Sequence, residues 1–124
     1  MGEIGVIKGK FVDRGDPAAY DKTASDFIND TNPHDFDLSA IVPAGAKAVL
    51  LLVDSNNNTA ATYVDFKKKA NSNYYNVSRI TTSAANIPIS LDLICPIGSD
   101  GKITYRTSGG AFNSINLVVK GWWI

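Results

Sequence analysis

Hydrophobic residues along this chain occur in short runs and in alternation, a pattern typical of β-strands. The longest run is Val49 to Val53, an unbroken aliphatic stretch that follows a Pro-Ala-Gly turn at 43–45. A run of this length between turn residues predicts a central strand that is buried on both faces. Asp54 begins a polar segment that continues to Thr59, and we interpret it as the connector that follows this strand.

A second strong element is predicted at 87–97, where Ile89, Leu91, Leu93 and Cys95 share one face of a strand. The segment Gly98-Ser-Asp-Gly101 predicts a hairpin turn after it, because an Asp-Gly pair tolerates positive φ angles. Shorter or weaker strands are predicted at 4–12, 22–29, 34–38, 61–68, 74–82, 102–107 and 114–124. About eight short strands, separated by turns rich in Gly, Asn and Pro, predict a single all-β domain over residues 1–124, a sandwich or a barrel.

Composition supports a packed core but gives no sign of a charged partner. Hydrophobic residues make up 44% of the 124 residues, and twelve basic residues balance twelve acidic ones. A neutral chain has no long-range field that would attract nucleic acid or an anionic membrane, so neither is expected as a partner. The longest apolar run is also too short to span a membrane. Zero net charge gives little protection against self-association, which favours a homo-oligomer.

Cys95 is the only cysteine, which excludes an intramolecular disulfide and a cysteine-based metal cluster. Its position on the apolar face of a strand predicts a buried, inert thiol. The start Met1-Gly2-Glu3 carries neither a basic leader nor an apolar segment. We therefore expect synthesis in the cytoplasm, without a signal peptide.

Candidate catalytic residues are few. His34 is the only histidine, and no nucleophile elbow accompanies it. Asp35, Asp37, Asp65 and Asp92 could pair for glycoside hydrolysis. They alternate with apolar residues, however, and outward, solvated positions are the simpler interpretation. We expect no catalytic site, no metal and no cofactor.

Three loop motifs have both a functional and an ordinary interpretation. Arg14-Gly15-Asp16 matches an adhesion tripeptide, but three common turn residues coincide often by chance. Asp54, Asn56, Asn58 and Asp65 are spaced like calcium ligands, but Thr59 stands where the calcium loop needs glycine. Lys67-Lys68-Lys69 with the nearby tyrosines suggests single-strand binding, whereas a solvated strand end agrees better with the neutral total.

Four aromatic residues are the interface or ligand-contact candidates: Trp122, Trp123, Tyr74 and Tyr75. Consecutive residues of a strand face opposite sides, so one of the two tryptophans is expected in the core and the other on the surface. An outward tryptophan favours contact with a neighbouring subunit or a sugar ring.

Two segments, 34–51 (HDFDLSAIVPAGAKAVLL) and 119–123 (VKGWW), resemble small all-β proteins encoded among the structural genes of phages and other viruses of microbes. The resemblance implies a virion or tail-fibre accessory module, a class in which jelly-roll-like sandwiches commonly form trimers. Our expectation is therefore a non-enzymatic, trimeric, virion-associated structural or attachment module, whose loops at 54–60, 71–75 and 108–112 contact a host-surface glycan or protein. The alternatives are a carbohydrate-binding module that uses Tyr74, Tyr75 or Trp122, and a small hydrolase that uses paired aspartates.

Overall fold

The structure, a computed structural model, describes residues 9–124, which form eight β-strands and one short 3₁₀ helix. The strands are β1 (Phe11–Asp13), β2 (His34–Asp37), β3 (Ala48–Asn57), β4 (Thr62–Lys68), β5 (Ser78–Thr82), β6 (Ile89–Pro96), β7 (Lys102–Thr107) and β8 (Phe112–Trp123). The 3₁₀ helix is Ala24–Asp26.

The strands form two antiparallel sheets of four, with the orders β1-β8-β3-β6 and β2-β7-β4-β5. Among the described strands, β4 and β5 are the only consecutive pair that share a sheet, so each of the other connections crosses between sheets. This order is that of a jelly roll, in which two Greek keys enclose one core. The predicted all-β, jelly-roll-like sandwich is confirmed.

The Gly98–Gly101 turn forms where the sequence predicts it. The Gly101 amide donates to the Gly98 carbonyl oxygen at 3.1 Å, and Gly101 has a φ of 70°. A Cβ at Gly101 would lie 2.7 Å from the Ser39 Cβ, so glycine is required by close packing as well as by φ. The turn joins β6 of the first sheet to β7 of the second. The prediction of a hairpin is therefore wrong, because local turn chemistry does not determine which strand the chain pairs with next.

The central run is an inner strand, paired with β6 on one side and β8 on the other. Val49, Leu51 and Val53 are fully buried in the core, whereas Leu50 and Leu52 are only partly buried on the outer face of the sheet. The prediction of burial on both faces is therefore wrong. Every second residue faces outward in a two-layer sandwich, and within residues 9–124 no third layer covers that face.

Strand β3 also continues to Asn57, through the segment predicted to be a loop. Asn57 is fully buried, and its side chain donates to the Gly109 carbonyl oxygen and accepts from the Thr59 amide. Gly110 passes so close that a Cβ there would lie 2.3 Å from the Asn57 Oδ1. Asn57 remains in the strand because the glycine-rich connector before β8 accepts the hydrogen bond of its buried amide group. The loop predicted at 54–60 is correspondingly shorter, and the one predicted at 108–112 ends where β8 begins.

The strand predicted at 22–29 is wrong, since the chain forms the 3₁₀ helix there. The Thr23 amide donates to the Asp26 carboxylate at 2.8 Å, a local bond that favours a helical turn over a strand. Strand β5 is shorter than predicted, since it begins only at Ser78. Of the opening strand predicted at 4–12, residues 4–8 lie outside the described residues, and β1 covers Phe11–Asp13.

Aromatic side chains fill the core beneath the second sheet. Phe27 contacts Phe36 edge to face, with ring centroids 4.9 Å apart, and Phe36 stacks on Tyr105 at 4.3 Å. The Tyr105 hydroxyl accepts a hydrogen bond from the Ile28 amide at 2.7 Å. This bond secures the segment after the 3₁₀ helix against the core. Burial raises the pKa of Tyr105, so the hydroxyl keeps its proton at neutral pH.

Candidate functional site

The outer face of the second sheet carries an ion-paired group that we call the arginine cluster: Asp65, Arg79 and Arg106. Strand register places Asp65 of β4 opposite Arg79 of β5 and Arg106 of β7. Arg79 donates to both Asp65 oxygens, at 2.5 and 2.9 Å, and Arg106 donates at 3.3 Å. Hydrogen bonding to the Asp65 carboxylate raises the pKa of Arg79, so the guanidinium keeps its charge.

Asp65 is fully buried, although the sequence predicts a solvated position for it. The outward direction is correct, but the prediction of solvation is wrong. The two arginines flank the carboxylate, with side chains that remain 43% and 29% exposed. Arg79 also packs over the Tyr63 ring, at 3.8 Å from its centroid. The methylene groups of these long side chains shield the carboxylate from water.

Tyr74 holds the loop between β4 and β5 against the arginine cluster. The Arg106 guanidinium lies 3.7 Å from the centre of the Tyr74 ring, and the Lys67 Nζ lies at 4.8 Å. Lys67 is buried and also donates to the Asn71 carbonyl oxygen. Two cations over one ring make this contact a cation–π anchor. Tyr74 is thus a loop-positioning residue rather than a free ligand platform.

Tyr75, the next residue, points away from the protein and is 96% exposed. It borders an open groove of about 500 Å³ in the same loop. Amide and hydroxyl side chains dominate the lining, which comprises Ala70, Asn71, Ser72, Asn73, Tyr75 and Asn76. This groove, which we call the asparagine groove, combines an exposed aromatic ring with neutral polar groups.

The two terminal tryptophans lie on opposite faces of β8. Trp122 packs against the core, and Trp123 lies on the outer face, in register with Phe11 of β1. The Phe11 and Trp123 rings are 4.9 Å apart and tilted by 58°. The outward indole therefore already has a partner within the chain. The structure does not bring the tryptophans together with Tyr74 and Tyr75, which lie beside the other sheet.

The remaining aspartates are held separately. Asp35 accepts from Thr104 at 2.7 Å and pairs with Lys69 at 2.8 Å, and these contacts lower its pKa. Asp92 pairs with Lys120 on the outer face of the first sheet, far from Asp65 on the second. His34 bonds to Asp30 at 2.8 Å. Within residues 9–124, no three potential metal-ligating side chains come together.

In the adhesion tripeptide and the calcium-like segment, charged side chains form hydrogen bonds within the chain. Arg14 of the adhesion tripeptide donates to both Asp21 oxygens and to the Val119 carbonyl oxygen. Its guanidinium is thus directed at its own chain. Asp54 of the calcium-like spacing accepts from the Tyr20 hydroxyl, while Asp65 lies on the other sheet.

Cys95 is expected to resist thiol reagents in the native protein. It is fully buried, and desolvation raises its pKa to about 12, so the reactive thiolate is scarce below pH 9. Labelling with a chromogenic aromatic disulfide should be slow in buffer and stoichiometric in denaturant. Fast labelling of the folded protein would contradict the buried position.

Neither a protein-family model nor a curated protein matches this chain. Among the described residues, no helix has the length and apolarity needed to cross a membrane.

The sequence interpretation missed Arg79, Arg106 and Tyr63, which together cover Asp65. The alternation along β4, β5 and β7 places these three residues and Asp65 at outward positions, and no other feature of the sequence indicates that they meet. The register that brings them opposite one another is a tertiary property.

Proposed function

We propose that this chain is a non-enzymatic structural module of a viral particle that self-associates as a trimer. The observation that carries the proposal is the apolar outer face of the first sheet. Jelly rolls occur in viral capsid proteins, which agrees with the resemblance of segments 34–51 and 119–123 to phage structural proteins. That agreement is an analogy of fold, so the proposal of self-association rests on the outer face of the first sheet.

Apolar side chains form a continuous strip across this outer face. Ile94 of β6 is 57% exposed and lies opposite Leu50 of β3. Leu52, Phe11 and Trp123 extend the strip across the sheet. An outer face that meets only water normally carries polar residues, so such a strip favours a protein partner.

A second apolar surface adjoins the strip at the β6 edge. Ile87 and Leu91 are both exposed there, and among the described strands β6 lies at the edge of its sheet, paired with β3 alone. A face and an adjacent edge can meet in successive copies, which is the heterologous contact that closes into a ring. This arrangement favours a cyclic trimer over a two-fold dimer.

Charge on the strip favours a second copy of the same chain as the partner. Lys120 and Asp92 pair across it at 3.1 Å with side chains 43% and 52% exposed, so the surface presents both signs. The chain carries no net charge, so copies do not repel one another. A surface with both signs does not repel a second copy of the chain.

The non-enzymatic part of the proposal is supported by how the acidic groups are used. Asp35, Asp65 and Asp92 each pair with a basic side chain of the fold. Their oxygens stabilise strand pairing instead of facing a common cleft.

Ile94→Lys is expected to convert a trimer into a monomer. A lysine at the β6 end of the strip, where the face and the edge adjoin, would bury a charge in each contact, which costs on the order of several kcal/mol. Native mass spectrometry of the unmodified protein should give three times the 13.3 kDa chain mass, and the variant should give that mass once.

Ile28→Lys is the matched control. Ile28 is 53% exposed but lies in the loop after the 3₁₀ helix, outside the first sheet, so this variant should remain trimeric. A monomeric unmodified protein, or a trimeric Ile94→Lys variant, would contradict the proposal. Mass-spectrometric detection of the chain in purified viral particles tests the viral role separately.

A further inference from the structure

Polar side chains of the asparagine groove differ from those elsewhere in the structure. At the other end of the sandwich, the side chains of Asn29, Asn57 and Asn113 all form hydrogen bonds. Across residues 9–124, by contrast, the side chains that line the asparagine groove make no hydrogen bond to another described residue. The groove therefore presents free amide and hydroxyl groups next to the exposed Tyr75 ring.

The loop that carries these groups is fixed at several points. The Asn71 amide donates to the Lys68 carbonyl oxygen at 3.0 Å, and Lys67 donates to the Asn71 carbonyl oxygen. Tyr74 packs on Arg106, and the Ser78 hydroxyl donates to the Ile94 carbonyl oxygen. Anchors on both sides of the groove limit the ordering that a ligand must impose, which improves affinity.

We propose that the asparagine groove binds a neutral saccharide, with the Tyr75 ring as its stacking platform. Sugar hydroxyls both donate and accept hydrogen bonds, and side-chain amides of asparagine do the same in one plane. An aromatic ring offers an apolar face to the C–H surface of a sugar ring. The volume of about 500 Å³ lies within the range of small-ligand sites.

Charge selects a neutral sugar over an acidic one. None of the six lining residues is charged. Three of the basic side chains around this loop already have partners: Arg79 binds Asp65, Lys69 binds Asp35, and Lys67 binds a backbone carbonyl. The site lies beside the second sheet, so it does not depend on self-association through the first.

The test is an array of neutral and acidic oligosaccharides, followed by saturation-transfer NMR with each sugar that binds. Tyr75→Ala should weaken binding at least about tenfold, because the platform is lost. Tyr75→Trp should preserve it. Tyr75 is almost fully exposed, so neither change should disturb the fold.

Tyr20→Ala is the control, since Tyr20 is an exposed tyrosine that contacts the first sheet at Asp54. It should bind as the unmodified protein does. An array without any bound sugar, binding only to acidic sugars, or unchanged binding by Tyr75→Ala would each overturn the proposal. None of these outcomes bears on the trimer.

Discussion

Leu51→Ala is expected to lower the free energy of unfolding by about 2–5 kcal/mol, the range for large cavities in a core. Leu51 is fully buried on the inner face of β3, between Leu93 of β6 and Val119 of β8. Inner-strand neighbours on both sides are held by their ladders, so they cannot collapse into the space. Urea denaturation followed by tryptophan fluorescence measures the change.

Leu50→Ala is the matched control, because Leu50 lies on the same strand and points to the outer face. Its effect should be less than about half as large, since a partly buried leucine loses less contact and leaves no closed cavity. Both variants should be measured at a concentration where they share one oligomeric state. An equal loss in both would contradict the two-layer arrangement.

Asp65→Asn is expected to be the second most destabilising change, at about 2–3 kcal/mol. Removing one partner of a fully buried ion pair costs about 3–5 kcal/mol, because a buried charge is left without compensation. The arginines here keep some contact with water, which reduces the loss. The change should also release Arg106 from Asp65 beneath Tyr74, so amide exchange in the loop between β4 and β5 should accelerate. Denaturation and hydrogen exchange measure the two effects.

Asp92→Asn provides the comparison within the same protein. Its ion pair with Lys120 also joins two strands of one sheet, β6 and β8 across β3, but both side chains are exposed. Exposed pairs contribute little, so the expected loss is below about 0.5 kcal/mol. If the two aspartate variants lost equal stability, burial of Asp65 would not be the source of its contribution.

Much of the fold could be predicted from periodicity alone. The inner position of the Val49–Val53 run and the strand within 87–97 are both confirmed, because clustered and alternating apolar residues indicate strands that contribute to a core. Prediction was wrong where polar residues continue a strand, as at Asn57, and where a local bond ends one, as at Thr23. In both places a specific hydrogen-bond partner outweighs residue-type preference.

The candidate sites followed the sequence less closely. Tyr74 and Tyr75 are adjacent and identical in type, so the sequence ranks them equally. The structure assigns them different roles, since Arg106 from a distant strand covers one ring and leaves the other exposed. The outward tryptophan was expected to need an external partner, but this residue is Trp123, and Phe11 of β1 packs against it.

The sequence by itself determined the β class, the position of the core strands, the turn chemistry and the buried state of Cys95. These depend on side-chain polarity and on backbone preferences, both of which act over a few residues. Only the tertiary structure decided the jelly-roll order, the burial of Asp65 between Arg79 and Arg106, and the exposure of Tyr75 beside its groove. Those features arise from strand register, which brings residues 14 to 41 positions apart into contact. Register is set by packing of the whole sandwich, and no local stretch of sequence encodes it.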